Sequence, residues 1–154
     1  MAIPEKFKAP LHAPEYVLER KAILTHAQLM ALNAVPITVL PAPGAGYAHI
    51  LEGVSIYMVA GVAFTIGLGT GIGFKYTDTN GLLLATCAVT GFVDQATAQV
   101  RYVKPTIAAT PNVNDITPVA NAVIVAQSLT AELTDGGTRG LTLKVHYRKT
   151  RVAG

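Results

Sequence analysis

Four histidines, nine carboxylates, two serines and one cysteine are the side chains through which this chain of 154 residues could do chemistry. His12, His26, His49 and His146 are scattered, with no i, i+4 pair and no H-x-H or H-x-E spacing. A metal site would have to be assembled from distant strands, and nothing in the spacing points to one. Asp78, Asp94, Asp115 and Asp135 fall in expected turns or loops, where aspartate commonly bonds its own backbone. Cys87 lies in the apolar run Leu82–Thr90 with no base placed to activate a thiolate, so it reads as a small buried hydrophobe. A lone cysteine makes no internal disulfide, which fits an intracellular origin. In Gly67-Leu-Gly-Thr-Gly-Ile-Gly73 the glycines recur at every second residue rather than as G-x-G-x-x-G, and Phe74-Lys-Tyr76 continues as strand. Alternate glycines on one face let another backbone or an aromatic ring approach closely, so packing and not phosphate binding is expected. No catalytic residue, no metal and no cofactor is therefore expected.

The charges are few and unevenly placed. Charged residues make up 14% of the chain and hydrophobic ones 51%, which excludes a disordered chain and leaves little titratable material for an enzyme. From Arg139 onward there are five basic residues and no acidic one, whereas the first 138 residues carry seven basic and nine acidic. Arg148 and Lys149 in this basic ending are candidate contacts to an acidic protein surface. No aromatic residues interleave with the basic ones on the same face, as a stacking platform for nucleic acid would require, and they read as outward side chains on an edge strand. Glu52 interrupts the apolar face of its strand and is expected to meet a basic residue across a subunit contact. The 22 residues between Glu52 and Lys75 carry no charge and are long enough to span a bilayer, but six glycines and an alternating pattern make them strands. Two strands turning near Gly61 are expected there, and no membrane partner.

The elements that position these groups are nearly all β. Residues 1–23 read as an extended N-terminal arm, because Pro4, Pro10 and Pro14 block helix and charges interrupt any apolar period. Phe7, Leu11, Tyr16 and Val17 are its candidate anchors on a capsid or a neighbouring subunit. Residues 24–154 form the body. Thr25-His-Ala-Gln28 has capping-box spacing and opens one short helix over about 26–33, closed by Pro36. Strands are expected at 35–39, 48–60, 64–68, 72–77, 82–89, 99–104, 122–133 and 141–148, with Asp78-Thr-Asn-Gly81 supplying positive φ at a turn. Leu82–Val89, apolar on both faces, reads as a central strand, and Thr134–Gly140 as a hairpin loop. Residues 90–120 have no clear assignment beyond the strand at 99–104. The expected fold is a single all-β sandwich or jelly roll.

One segment carries a resemblance. Leu24-Thr-His-Ala-Gln-Leu-Met-Ala-Leu-Asn-Ala-Val-Pro-Ile-Thr-Val-Leu-Pro-Ala-Pro-Gly44 is similar to small virion proteins of tailed bacteriophages, in which a helix of the type L-T-x-A-Q-L-x-A-L-N leads into P-x-x-L-x-P-A-P-G and an all-β body. The ending Leu141-Thr-Leu-Lys-Val-His-Tyr147 fits the same pattern. The resemblance implies a non-catalytic capsid decoration or cement protein made in the host cytoplasm and carried on the virion surface. Its partners would be the major capsid protein and copies of itself, a trimer being favoured. A tail or head-fibre component is the first alternative. A carbohydrate-binding jelly-roll module is the second, and it would need exposed aromatic platforms in a chain that has no tryptophan.

Overall fold

The computed structural model describes residues 16–106, 117–134 and 137–152. Its elements are β1 (Leu18–Leu24), α1 (His26–Met30), β2 (Ile37–Leu40), β3 (Tyr47–Met58), β4 (Gly71–Tyr76), β5 (Leu83–Ala88), β6 (Gln99–Val103), β7 (Ile124–Leu129) and β8 (Leu141–Arg151). They form two four-stranded sheets, ordered β1-β8-β3-β6 and β2-β7-β4-β5. All neighbours are antiparallel. The pairs β1–β8, β2–β7, β3–β6 and β4–β5 each join strands equidistant from the central β4–β5 hairpin. The chain is thus a ribbon doubled at that hairpin and wrapped into two sheets, the strand order of a jelly roll.

Period-2 patterning explains which face of each strand is covered. Leu141, Leu143 and Val145 of β8 and Val54, Ile56 and Met58 of β3 point into the sandwich, against Ile72, Phe74 and Tyr76 of β4 and Ile124 and Ala126 of β7. Truncating a ring such as that of Phe74, fully buried here, to alanine costs about 3–5 kcal/mol. Between the sheets, the Tyr76 hydroxyl donates to the His49 carbonyl, and burial pushes its pKa up to about 12.

The segment after β1 seals one end of the sandwich. Thr25 caps α1 with both bonds of a capping box, as its spacing predicts. The helix is shorter than expected, because residues 31–34 continue as turns. Leu29 and Leu32 are fully buried. The Glu132 carboxylate accepts from the N–H groups of Asn33 and Ala34 at 2.7 and 2.8 Å, tying this turn to the chain beyond β7.

Several expectations are corrected. β3 and β4 lie in different sheets, so they are joined by a crossover over 59–70 and are not a hairpin. Residues 64–68 form no strand beyond a single bridge from Thr65 to Thr134. β5 is an edge strand rather than a central one, and β8 is central rather than an edge. β7 and β8 also sit in different sheets, so the loop between them is no hairpin. At the β4–β5 turn the positive φ falls on Thr77, and Gly81 is needed because a Cβ there would collide with the Tyr76 carbonyl. The expected arm ends sooner, since Leu18–Leu24 pair with β8 in unbroken register from Leu18↔Tyr147 to Leu24↔Leu141. The glycine run divides: Gly67 and Gly69 lie beside the 131–134 segment, while Gly73 lets Leu83 and Leu129 fold over β4, 2.8 Å from where a Cβ would stand.

Candidate functional site

The outer face of the sheet β1-β8-β3-β6 brings together polar and aromatic groups from all four of its strands. Alternation along β8 turns Lys144, His146 and Arg148 outward, opposite the inward Leu143, Val145 and Tyr147. Their neighbours are Glu19 and Lys21 on β1, Ser55 and Tyr57 on β3, and Tyr102 on β6. Lys144 reaches Glu19 at 3.5 Å and lies 6.0 Å from the Tyr57 ring centroid.

A β-bulge shapes the middle of this face. The β3–β8 register shifts between Leu51 and Gly53, leaving Glu52 as the extra residue. Its carboxylate accepts from Arg148 Nε at 2.6 Å. Glu52 therefore meets its base within one chain, across two neighbouring strands, and not across a subunit contact. A pair with both side chains about one third exposed contributes at most about 1 kcal/mol. Beside the bulge, the Tyr102 ring lies directly over Gly53, where a Cβ would stand 2.7 Å from its Cζ. The hydroxyl end of the ring occupies the space a side chain at 53 would need, and Tyr102 is still 54% exposed. Val17, Glu52, Tyr102, Lys104 and His146 line an open cleft of about 490 Å³.

Within this face, Ser55 Oγ lies 3.3 Å from His146 Nε2, and His146 Nδ1 lies 3.9 Å from Glu19 Oε2. This is the order of a nucleophile, base and orienting acid, which the sequence spacing does not reveal. The second distance is beyond hydrogen-bond length. β3 is also paired on both sides, to β8 and β6, so its backbone N–H groups near Ser55 are engaged in sheet ladders rather than free to hold an oxyanion. Among the described residues, no group of three or more His, Cys, Asp or Glu is placed to hold a metal ion, and no helix is long and apolar enough to cross a membrane. The Cys87 thiol is pushed up to about 11 by burial, with Arg101 opposing, so it stays protonated at neutral pH.

Of the expected contact residues, Val17 and Glu52 share the cleft and Arg148 pairs with Glu52, whereas Lys149 stands apart. Tyr16 and Val17 are exposed just before β1, while Phe7 and Leu11 lie outside the described residues. Lys149 stands with its Nζ 4.3 Å from the Tyr47 ring centroid, away from the cleft. Arg139, counted by sequence among the basic ending, is instead interior. It is 5% exposed and donates to the carbonyls of Val59 (3.0 Å), Val93 (3.3 Å) and Gln95 (2.9 Å), with its guanidinium 5.6 Å from the Phe64 ring centroid. Desolvation holds its pKa below the usual arginine value. It pins together the loops that follow β3 and β5.

Compared with known proteins, the chain matches no family model, no curated protein and no solved structure.

Proposed function

We propose that this protein is a structural component of a tailed-bacteriophage virion that decorates or cements the capsid. It would bridge neighbouring capsomers as a homo-oligomer, a trimer in the first instance, without catalysis. The observation that carries the reading is that large apolar side chains are left in water at both lateral edges of one sheet, in addition to those on the 59–68 crossover and at Leu82 and Leu83. Val17, Leu18 and Ile23 mark one edge of the β1-β8-β3-β6 sheet, and Val100 and Tyr102 mark the other. Apolar side chains at both lateral edges serve a protein whose neighbours pack beside it, since contiguous exposed apolar surface commonly marks interaction sites. Many copies holding adjacent capsomers raise the free energy of separating them through mass action and multivalency. The Leu24–Gly44 resemblance supports the phage assignment.

The test is to co-express the full chain with the major capsid protein of the phage genome that encodes it and sediment the assembled shells. The chain should co-sediment at a fixed ratio and raise the temperature at which the shells break. Shells that form without it and show unchanged heat resistance in its presence would overturn the reading. Recovery with purified tails would favour the fibre alternative. One observation favours a saccharide-binding reading: Tyr57 and Tyr102 are exposed on the same face as Glu52 and His146. Calorimetry against an oligosaccharide panel separates it, because a cement protein binds shells and gives no heat with sugars.

A further inference from the structure

Among the described residues, the four sheet edges differ in how well they are closed. β2 is four residues long, its register shifts between Thr38 and Leu40, and Pro36 and Pro41 flank it. β5 is bulged against β4, and the Leu84 carbonyl on it accepts from Thr106 N–H. β6 has five residues and is followed by Pro105. β1 is the longest of the four, with seven residues in continuous register to β8 and no proline on its free side.

The side chains along that edge match themselves when reversed. If a second copy of β1 runs antiparallel with Arg20 opposite Arg20, then Glu19 faces Lys21, Leu18 faces Ala22 and Val17 faces Ile23. On the outer face, where Glu19 meets Lys144 and His146, this gives an opposite-charge pair and an apolar pair on each side of the two-fold axis. The inner face gives the Leu18–Ala22 pairs. The one mismatch is Arg20 against itself, and its long stem lets the guanidinium groups swing apart into water. The central Glu19-Arg20-Lys21 triplet explains why so open an edge does not pair with any passing strand: charges deter a generic partner and are neutralised only in this register.

We propose that β1 is an isologous interface, through which two copies of the chain join their β1-β8-β3-β6 sheets into one continuous antiparallel sheet centred on Arg20. The contact uses the edge residues Val17, Leu18 and Ile23 that the virion reading counts, but it needs no capsid and is separate from any three-fold ring. Seven residues of edge make a weak dimer, which crowding on a surface would fill.

Single-cysteine cross-linking tests the register in the purified full chain, because native Cys87 is buried and leaves the background low. In Arg20→Cys the two new thiols lie directly opposite, so mild oxidation should give a disulfide dimer on a non-reducing gel. In Ile23→Cys the two cysteines lie six residues apart along the strands, about 20 Å, and should not cross-link. A mixture of Val17→Cys and Ile23→Cys chains should form the heterodimer. Adding Glu19→Lys to Arg20→Cys should lower the cross-link yield at least several-fold. Adding Lys21→Glu as well should restore it, since positions 19 and 21 again carry opposite charges across the two-fold axis, and Lys144 finds the new acid at its own register partner. No dimer from folded Arg20→Cys, or equal yields at positions 20 and 23, would overturn the proposal. Capsid binding is not measured, so its failure and the failure of the virion reading are separate events.

Discussion

Arg139 offers the sharpest check on the physical account of this fold. Its guanidinium is 5% exposed and holds three backbone carbonyls, those of Val59, Val93 and Gln95, from two different loops. Each bond from a charged donor is worth about 1.5–3 kcal/mol, but the cost of desolvating the guanidinium offsets part of the sum. Nε also lacks a partner, so the site is not fully satisfied. Arg139→Ala takes this donor from the Val59 and Gln95 carbonyls, leaves the Val93 carbonyl with only the Phe64 N–H, and uncovers the Phe64 ring. The expected cost is about 3–4 kcal/mol, in the range for breaking a buried charged contact. For a domain of this size that is a drop of roughly 10 °C in Tm. Arg139→Lys keeps the charge but replaces a planar fork with a point donor, and should recover a minority of the loss.

Arg101 supplies the internal control. It too donates to a backbone carbonyl, that of Gly91 at 2.6 Å, and lies 5.7 Å from the Phe92 ring centroid, but it is exposed. Arg101→Ala should cost less than about 1 kcal/mol, because water replaces the lost bond on both sides. Urea denaturation followed by far-UV circular dichroism at pH 7 measures all three variants. Equal losses for Arg139→Ala and Arg101→Ala would refute the argument that burial sets the strength of the clamp.

Two further outcomes follow from the buried and covered groups. His49 is buried, its Nε2 lies 2.9 Å from the Pro41 carbonyl oxygen, and desolvation, with help from Lys149, holds its pKa below 6.5 against the raising effect of that bond. The unfolded chain therefore takes up a proton that the folded one resists. The contribution is fully present above the unfolded value, so stability should fall as pH drops from about 7 to 5, by no more than about 1.4 kcal/mol per unit from this group. His49→Gln should flatten that slope in a pH series of urea midpoints, and an unchanged slope would exclude His49 as its source. Gly53→Ala should lift the Tyr102 ring off the sheet, at a cost of about 1 kcal/mol because the clashing atoms end a flexible side chain. The near-UV tyrosine signal should change while the far-UV spectrum does not; an unaltered near-UV spectrum would mean the ring is not seated there.

What the sequence displays and what it hides divide along one physical line. Alternation reports which face of a strand is covered, and so β3, β4, β6, β7 and β8 were legible within a few residues, as was the capping box at Thr25. It carries no information about which strand lies alongside. Leu83–Ala88, apolar on both faces but for Thr86, reads as central, yet it is an edge whose Leu83 helps cover Gly73. The alternating Leu141–Arg151 reads as an edge, yet it is central, because only its inner face meets the core. The groups of the candidate face were hidden for the same reason. Glu19, Ser55, Tyr102 and His146 come from four strands, and nothing local links them. Arg139 was hidden more deeply, since its carbonyl partners are 44 to 80 residues away and a carbonyl has no sequence signature.

The boundary of the arm has a more specific cause. Residues 18–23 look unlike a strand of this core because three charges in a row break any apolar period. At the margin of a sandwich, however, the inner face is covered only where the opposite sheet still extends. Ala22 and Leu24 lie within that cover and are apolar, whereas Leu18 and Arg20 lie beyond it and are exposed. The charges are thus what an edge strand needs on its uncovered half, and a deletion meant to remove the arm should stop at residue 15, before Val17 and the paired residues of β1 are lost.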